Sequence, residues 1–167
     1  MNPRVVLRRP ELADQSEFIA RALASRALHR PWVTAPSTPE QFKTYVGRMR
    51  EPANHGFLVC EAGQGTIVGV VDLTNVVLGL CRSGYLGYYA FAGYERQGFM
   101  KAGLLQVVRH AFKSLKLHRL EANIQPGNIA SIALVHSCGF AKEGYSPKYL
   151  KIGGRWRDHE RWAILAP

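Results

Sequence analysis

Apolar residues fall along this chain in two rhythms, one of period near 3.6 and one of period 2. Val5 to Arg9 is a short strand-like run ended by Pro10, whose ring removes a backbone donor. From Ala13 to Ala24, Phe18, Ile19, Ala22 and Leu23 line one helical face. Pro31 to Pro39 is a proline-rich loop holding Trp32. Thr38-Pro39-Glu40 then opens a second helix, with Thr38 as N-cap and Pro39 in the first position. That helix is expected to run to about Arg50, burying Phe42, Tyr45, Val46 and Met49, with Pro52 and Gly56 closing it.

Period 2 takes over at Phe57 to Glu61 and Ile67 to Leu73, joined by Gly63-Gln64-Gly65 as a hairpin. Tyr85 to Phe91 continues the antiparallel set. Leu104, Val108, Ala111, Phe112 and Leu115 restore helical spacing, and His118 to Ile124 is a buried strand carrying Leu120, Ala122 and Ile124. Ile129 to Cys138 is a short helix with Asn128 placed to cap it. Ala141 to Leu150 and Arg155 to Leu165, linked by Gly153-Gly154, form a last hairpin. The order β-α-α-β-β-β-α-β-α-β-β predicts a mixed α/β fold. With 167 residues and no repeat, low-complexity tract or linker, residues 1–167 are expected to form one domain.

Composition adds one outlier. Lys and Arg number 22 against 12 Asp and Glu, a formal net charge of +10, concentrated from Lys142 to Arg161. A solvated basic surface accounts for this. So does attraction to a polyanionic cofactor, an acidic substrate, or nucleic acid such as ribosomal RNA. No zinc knuckle, RNA-recognition signature or basic heptad region is present, so no motif indicates direct nucleic-acid binding. Cys60, Cys81 and Cys138 have neither metal nor redox spacing and read as reduced thiols of a cytoplasmic protein. No signal-peptide pattern follows Met1, and no apolar run is long enough to cross a bilayer. No metal site is expected.

The chemistry-bearing stretch is Tyr94-Glu-Arg-Gln-Gly-Phe-Met-Lys-Ala-Gly-Leu-Leu105. It sets a polar, glycine-bearing loop between a strand and a helix, where backbone N–H groups lack intrahelical partners and the helix dipole favours an anion. Neither Gly-x-x-x-x-Gly-Lys-Ser/Thr nor Gly-x-Gly-x-x-Gly occurs, which removes the P-loop and dinucleotide readings. Taken alone, the loop is also an ordinary strand-to-helix turn.

Downstream lies Asn128-Ile-Ala-Ser131, then Gly139-Phe140 and Glu143-Gly144, with Gly154-Arg-Trp-Arg-Asp-His159 near the end. In this combination the chain resembles the GCN5-related N-acetyltransferases, and most closely the ribosomal-protein N-acetyltransferases of the RimJ/RimL type. The family's loop pattern Gln/Arg-x-x-Gly-x-Gly/Ala falls on Glu95 to Met100, and its Asn-x-x-Ser helix start on Asn128 and Ser131. The resemblance implies a mainly antiparallel sheet flanked by helices (α+β) and acetyl-CoA as cosubstrate, bound without a metal. Two departures stand out. Glu95 and Met100 replace the usual loop residues, so binding is expected to rest on backbone amides, with the Met100 side chain pointing away. Val135 stands where the pattern Asn-x-x-x-x-x-x-Tyr has its tyrosine acid, and the RimJ/RimL resemblance implies Ser131 as the substitute candidate.

By the same resemblance, the strand ending at Tyr89-Ala90-Phe91 should splay from the strand Glu121 to Ile124 and admit pantetheine. The amides of Gln97, Gly98, Phe99, Met100, Lys101 and Ala102 would hold the pyrophosphate. Asn128 would bond the pantetheine arm, and Ser131 would donate to the leaving thiolate. For each there is a plainer reading: Asn128 as N-cap only, Ser131 as a first-turn polar residue. Deprotonating an α-amine of pKa about 8 at pH 7 costs about 1 kcal/mol, against about 4–5 kcal/mol for lysine. An N-terminal amine therefore needs only a weak or water-relayed base. Glu121 is the candidate, or else an ion-paired strand carboxylate. Asp158 could bind the substrate ammonium or lie simply on the surface, and His136 and His159 fall near the inferred site. The expected activity is acetyl transfer, by direct attack in a ternary complex, to a protein N-terminal amine, possibly of a ribosomal protein. A small amine or antibiotic acceptor stays open, as does a non-catalytic acetyl-CoA- or RNA-binding role. The oligomeric state is open too.

Overall fold

Arg4 to Pro167 are described by the computed structural model. Seven strands are hydrogen-bonded in the order β1-β2-β3-β4-β5-β7-β6. They are β1 Val5–Arg8, β2 His55–Glu61, β3 Ile67–Val77, β4 Ser83–Ala90, β5 Arg119–Ile124, β6 Ala141–Ile152 and β7 Arg155–Leu165. The helices are α1 Gln15–Ala24, α2 Arg26–His29, α3 Pro39–Arg48, α4 Phe99–Lys113 and α5 Ile129–Ser137. The mixed α/β order and the largely antiparallel sheet agree with expectation. The short α2, which carries no apolar periodicity of its own, was not anticipated. α3 ends at Arg48, and Gly56 lies within β2 and not at a helix end. Met49 packs so tightly over Gly56 that a Cβ there would stand 2.6 Å from the methionine Cγ.

Caps act where the residue types place them. Thr38 Oγ1 accepts from the Gln41 N–H at 3.2 Å, and Asn128 Oδ1 from the Ser131 N–H at 3.2 Å. The central strands are apolar on both sides, because helices cover both faces of the sheet. One core joins Val59, Val71, Leu73 and Leu120 to Leu104, Val107 and Val135 of α4 and α5. The other joins Leu58, Val70 and Phe91 to Phe18 of α1 and to Phe42 and Tyr45 of α3. The α4 stripe predicted from spacing is buried at Leu104, Val107, Val108 and Ala111. Among the described residues no helix is long and apolar enough to cross a membrane.

The feature that positions the site is a break in the sheet. β4 runs antiparallel to β3 but parallel to β5, because α4 carries the chain back to start β5 in the same direction. That parallel pairing holds only at Ser83–Arg119, Gly84–Leu120 and Tyr85–Glu121. From Leu86 onward β4 pairs only with β3, and from Ala122 onward β5 pairs only with β7. The two strands therefore splay, as expected, and open a gap through the middle of the sheet.

Candidate active site

The loop entering α4 is built around left-handed backbone. Gly93 (φ 92°), Arg96 (φ 58°) and Gly98 (φ 82°) reverse the chain, and Gly98 is the residue from which α4 starts. A non-glycine residue in this region is unusual, and at Arg96 it turns successive amides toward one side. The loop's polar side chains brace it from within. Glu95 accepts from the Gly93 N–H at 2.6 Å, and Gln97 Nε2 donates to the Gly93 carbonyl at 2.6 Å. Among the described residues, the N–H groups from Arg96 to Lys101 reach no protein acceptor, whereas Ala102 N–H closes the first turn onto Gly98 O at 3.0 Å. Unsatisfied amides at a helix N-terminus fit an anionic phosphate. Met100 is buried, its sulfur resting in the space that a Cβ on Gly69 would need. Its side chain is thus turned away from the amides.

On the α4–α5 side of the gap, Ser131 sits in the first turn of α5. Its Oγ lies 2.7 Å from the Tyr88 hydroxyl, which also reaches the Ser131 carbonyl at 3.3 Å. Sequence reasoning missed Tyr88. The signal was available in the alternation of β4, which sends Tyr88 and Tyr89 to opposite faces, but nothing in the chain showed that the first turn of α5 would lie above Tyr88. Burial pushes the Tyr88 phenol well above the usual tyrosine range, so it acts as a neutral hydrogen-bond donor. Val135 is fully buried in the core, so the usual tyrosine position holds packing and no acid.

The opposite side of the gap faces α1, α2 and α3. His29 of α2 is buried, and burial holds its imidazole below the usual range, with Nε2 2.8 Å from the Ala90 carbonyl and its ring edge-on to Tyr89 at 4.9 Å. Trp32 lies against Gly127, where a Cβ would meet its ring at 3.1 Å. Phe91 is fully buried in the core on this side. Glu121 stands at the last β4–β5 pair, held by Arg119 at 2.7 Å; Arg119 also pairs with Glu143. Asp72 of β3 accepts from the Tyr45 hydroxyl at 2.8 Å, and burial raises its carboxyl to about 6. Sequence reasoning missed this residue as well.

The structure thus brings Tyr89, Ala90, Asn128, Ser131 and Glu121 to the gap, with the Gln97–Ala102 amides at the start of α4. It does not bring Asp158 there. By alternation along β7, Asp158 points to the face opposite Glu121, and its carboxylate accepts from the Tyr145 hydroxyl and from the Lys148 N–H at 2.8 Å. These bonds hold its carboxyl below the usual range. His136 is exposed beside Trp162, and His159 is buried beside Tyr149. Among the described residues no cluster of His, Cys, Asp and Glu is arranged to hold a metal ion.

Comparison with known proteins agrees with this fold. Residues 4–141 match the family of acetyltransferase (GNAT) domains. The [ribosomal protein uS5]-alanine N-acetyltransferase of Escherichia coli is 33% identical over 133 residues, covering 77% of this chain and 69% of that protein. The structure of Mycobacterium smegmatis RimJ in complex with CoA-disulfide superposes with TM-score 0.88 at 28% identity, over 97% of this chain and 82% of the other. A spermidine N-acetyltransferase from Vibrio cholerae, in complex with CoA and spermine, shares the fold at 23% identity, with TM-score 0.81 over 96% and 95% of the two chains.

Proposed function

From the premise that the chain belongs to the GNAT acetyltransferase family and uses acetyl-CoA, we propose that it acetylates the N-terminal α-amine of a protein, with a ribosomal protein as the substrate class. The observation that carries the choice of acceptor is the 33% identity to an enzyme acting on a ribosomal-protein alanine. The relationship to the spermidine enzyme lies at the level of fold. The chain's scarcity of carboxylates, 12 in all, also disfavours a polycationic acceptor.

The assigned roles follow the geometry. The amides of Gln97, Gly98, Phe99, Met100, Lys101 and Ala102 hold the pyrophosphate, with loop side chains only bracing them. The edges of Tyr89, Ala90 and Phe91 line the pantetheine arm, which Asn128 reaches with the amide NH2 that its capping bond leaves free. Acetyl-CoA supplies an activated acyl carbon and a thiolate leaving group. Ser131 donates to the departing sulfur, and Tyr88, 2.7 Å away, orients that hydroxyl. Glu121, paired through one carboxylate oxygen with Arg119, is a candidate to take the acceptor's proton through water. The whole chain from residue 1 to 167 serves as one catalytic domain.

Release of free thiol from acetyl-CoA tests this reading. Peptides beginning with Ala, Ser or Met should support turnover, whereas a lysine-containing peptide blocked at its N-terminus and spermidine should not. Preference for spermidine or lysine would refute it. So would a protein not thermally stabilised by acetyl-CoA, since a ligand of the native state must stabilise it by mass action.

A further inference from the structure

A set of polar side chains on the α3 side of the sheet keeps acceptor atoms that the roles assigned above do not use. Asp72 on β3 pairs with Gly87 on β4. Asn123 of β5 lies two residues past the last β4–β5 pair, Tyr85–Glu121, as Gly87 does on β4, so the two face each other across the gap. Arg161 of β7 follows, paired with Asn123. Residues directly opposite in a sheet project to the same face, and alternation along β5 puts Asn123 on the face opposite Ala122 and Ile124, so Asp72, Gly87 and Asn123 all face the α3 side, with the gap between the last two. The middle member has no side chain. A Cβ on Gly87 would meet nothing within 4 Å. The set therefore frames a notch beside the gap, flanked along β4 by Tyr85 and Tyr89.

The two ends of the notch both lack N–H donors. Asp72 Oδ1 accepts one hydrogen bond, from Tyr45, and Oδ2 accepts none among the described residues. Asn123 Oδ1 is buried with no partner at all. Such an acceptor costs stability unless something donates to it. Asp72 stands one strand from Gly87, and Asn123 stands across the gap from it, so the space over Gly87 opens into the gap between the two acceptors. The ionisable neighbours are Tyr45 and Arg48 from α3, Tyr85 and Tyr89 from β4, Glu121 from β5 and Arg161 from β7. β2 contributes only Gly56 opposite Asp72.

We propose that Asp72 and Asn123 form the acceptor-amine subsite, Asp72 taking the proton of the incoming α-ammonium and Asn123 Oδ1 accepting a second N–H over Gly87. This rests on the acetyl-transfer function above. One ammonium proton passes to Asp72 and on to solvent. The freed nitrogen lone pair forms the C–N bond as the C–S bond breaks and sulfur takes the bonding pair. The further proton that nitrogen loses balances the one gained by the thiol, delivered on the Ser131 side. A carboxyl raised to about 6 accepts from an α-ammonium of pKa about 8 against a roughly 100-fold gradient, and from a lysine of about 10.4 against more than 10⁴-fold. The subsite thereby selects α-amines.

The test compares the wild type with Asp72→Asn, Tyr45→Phe and Glu121→Gln, using acetyl-CoA and an alanine-initiated peptide from pH 6 to 9. Asp72→Asn is expected to keep its stabilisation by acetyl-CoA, which shows that it is folded and loaded. It should lose about 100-fold or more in kcat at pH 7 and recover as the pH passes the amine's own pKa. Tyr45→Phe removes a bond that favours the carboxylate, so the acidic limb of its rate profile should move upward in pH. A defect in Asp72→Asn that is constant from pH 6 to 9, or absent, overturns the subsite. So does a pH-relieved defect found in Glu121→Gln instead. An inactive wild type would overturn the proposed function and the subsite together, whereas an active wild type with unaffected Asp72→Asn overturns the subsite alone.

Discussion

In the proposed mechanism, Ser131 is a weak acid that Tyr88 makes useful. A lone serine hydroxyl is a poor acid, but one held 2.7 Å from a buried, neutral phenol is oriented before the reaction begins. Ser131→Ala is expected to lower kcat about 100-fold while leaving acetyl-CoA affinity within a few-fold. Tyr88→Phe should cost less, about 10-fold, because the serine stays in place; single-turnover kinetics separate the two. Asp72 carries a stability consequence as well. Its folded carboxyl sits near 6 against 3.8 for the unfolded chain, so the folded protein binds the proton more tightly. Stability should therefore fall as pH rises from about 4 to about 6, and the loss is complete above that. Asp72→Asn is expected to be more stable than wild type by about 1–3 kcal/mol at pH 7–8 and no more stable at pH 4, measured by denaturant titration at each pH. A carboxylate retained at a cost to folding fits a functional group better than a structural one.

At the scale of elements, the site depends on how α4 seats on the sheet. Gly103 lies against Val59 of β2, and a Cβ there would stand 2.7 Å from a valine methyl. Valine is stiff at χ1, so the helix must yield. Gly103→Ala is expected to cost about 1–3 kcal/mol and to weaken acetyl-CoA binding, because the phosphate-facing amides ride on the same helix. Gly47 of α3 is the contrast: nothing lies within 4 Å of its added Cβ, and Gly47→Ala should stabilise by about 0.5–1 kcal/mol. Urea titration and acetyl-CoA binding by calorimetry would check both. The elements themselves were largely legible. Alternation and helical spacing located all seven strands and the four longer helices, because most of these segments bury one face or both. α2 escaped because four residues make only one turn, and β3 extended to Val77 through Asn75, whose left-handed backbone (φ 51°) interrupts the pattern.

For the molecule as a whole, the splayed sheet separates two tasks. On the proposed reading, the α4–α5 side presents amides and the Ser131–Tyr88 pair to the donor, and the α1–α3 side presents Asp72 and Glu121 to the acceptor. The net charge of +10 surrounds both and favours encounter with a polyanionic cosubstrate. Raising the ionic strength from about 0.05 to about 0.5 M should slow acetyl-CoA association several-fold more than dissociation, as read by stopped-flow fluorescence. Equal slowing of both rates would mean that the charge serves another partner.

The sequence alone determined the order of elements, the caps at Thr38 and Asn128, the amide-bearing loop before α4 and the Asn128–Ser131 pair. These depend on residues near one another in the chain, where local propensity and periodicity act. Tertiary structure decided what depends on register between distant strands. It set Tyr88 under Ser131, placed Asp72 opposite Gly87 with Asn123 across the gap, turned Asp158 to the other face, and threaded β7 between β5 and β6. A shift of one residue in strand pairing would reverse every one of those faces, and no single segment carries the information that fixes it.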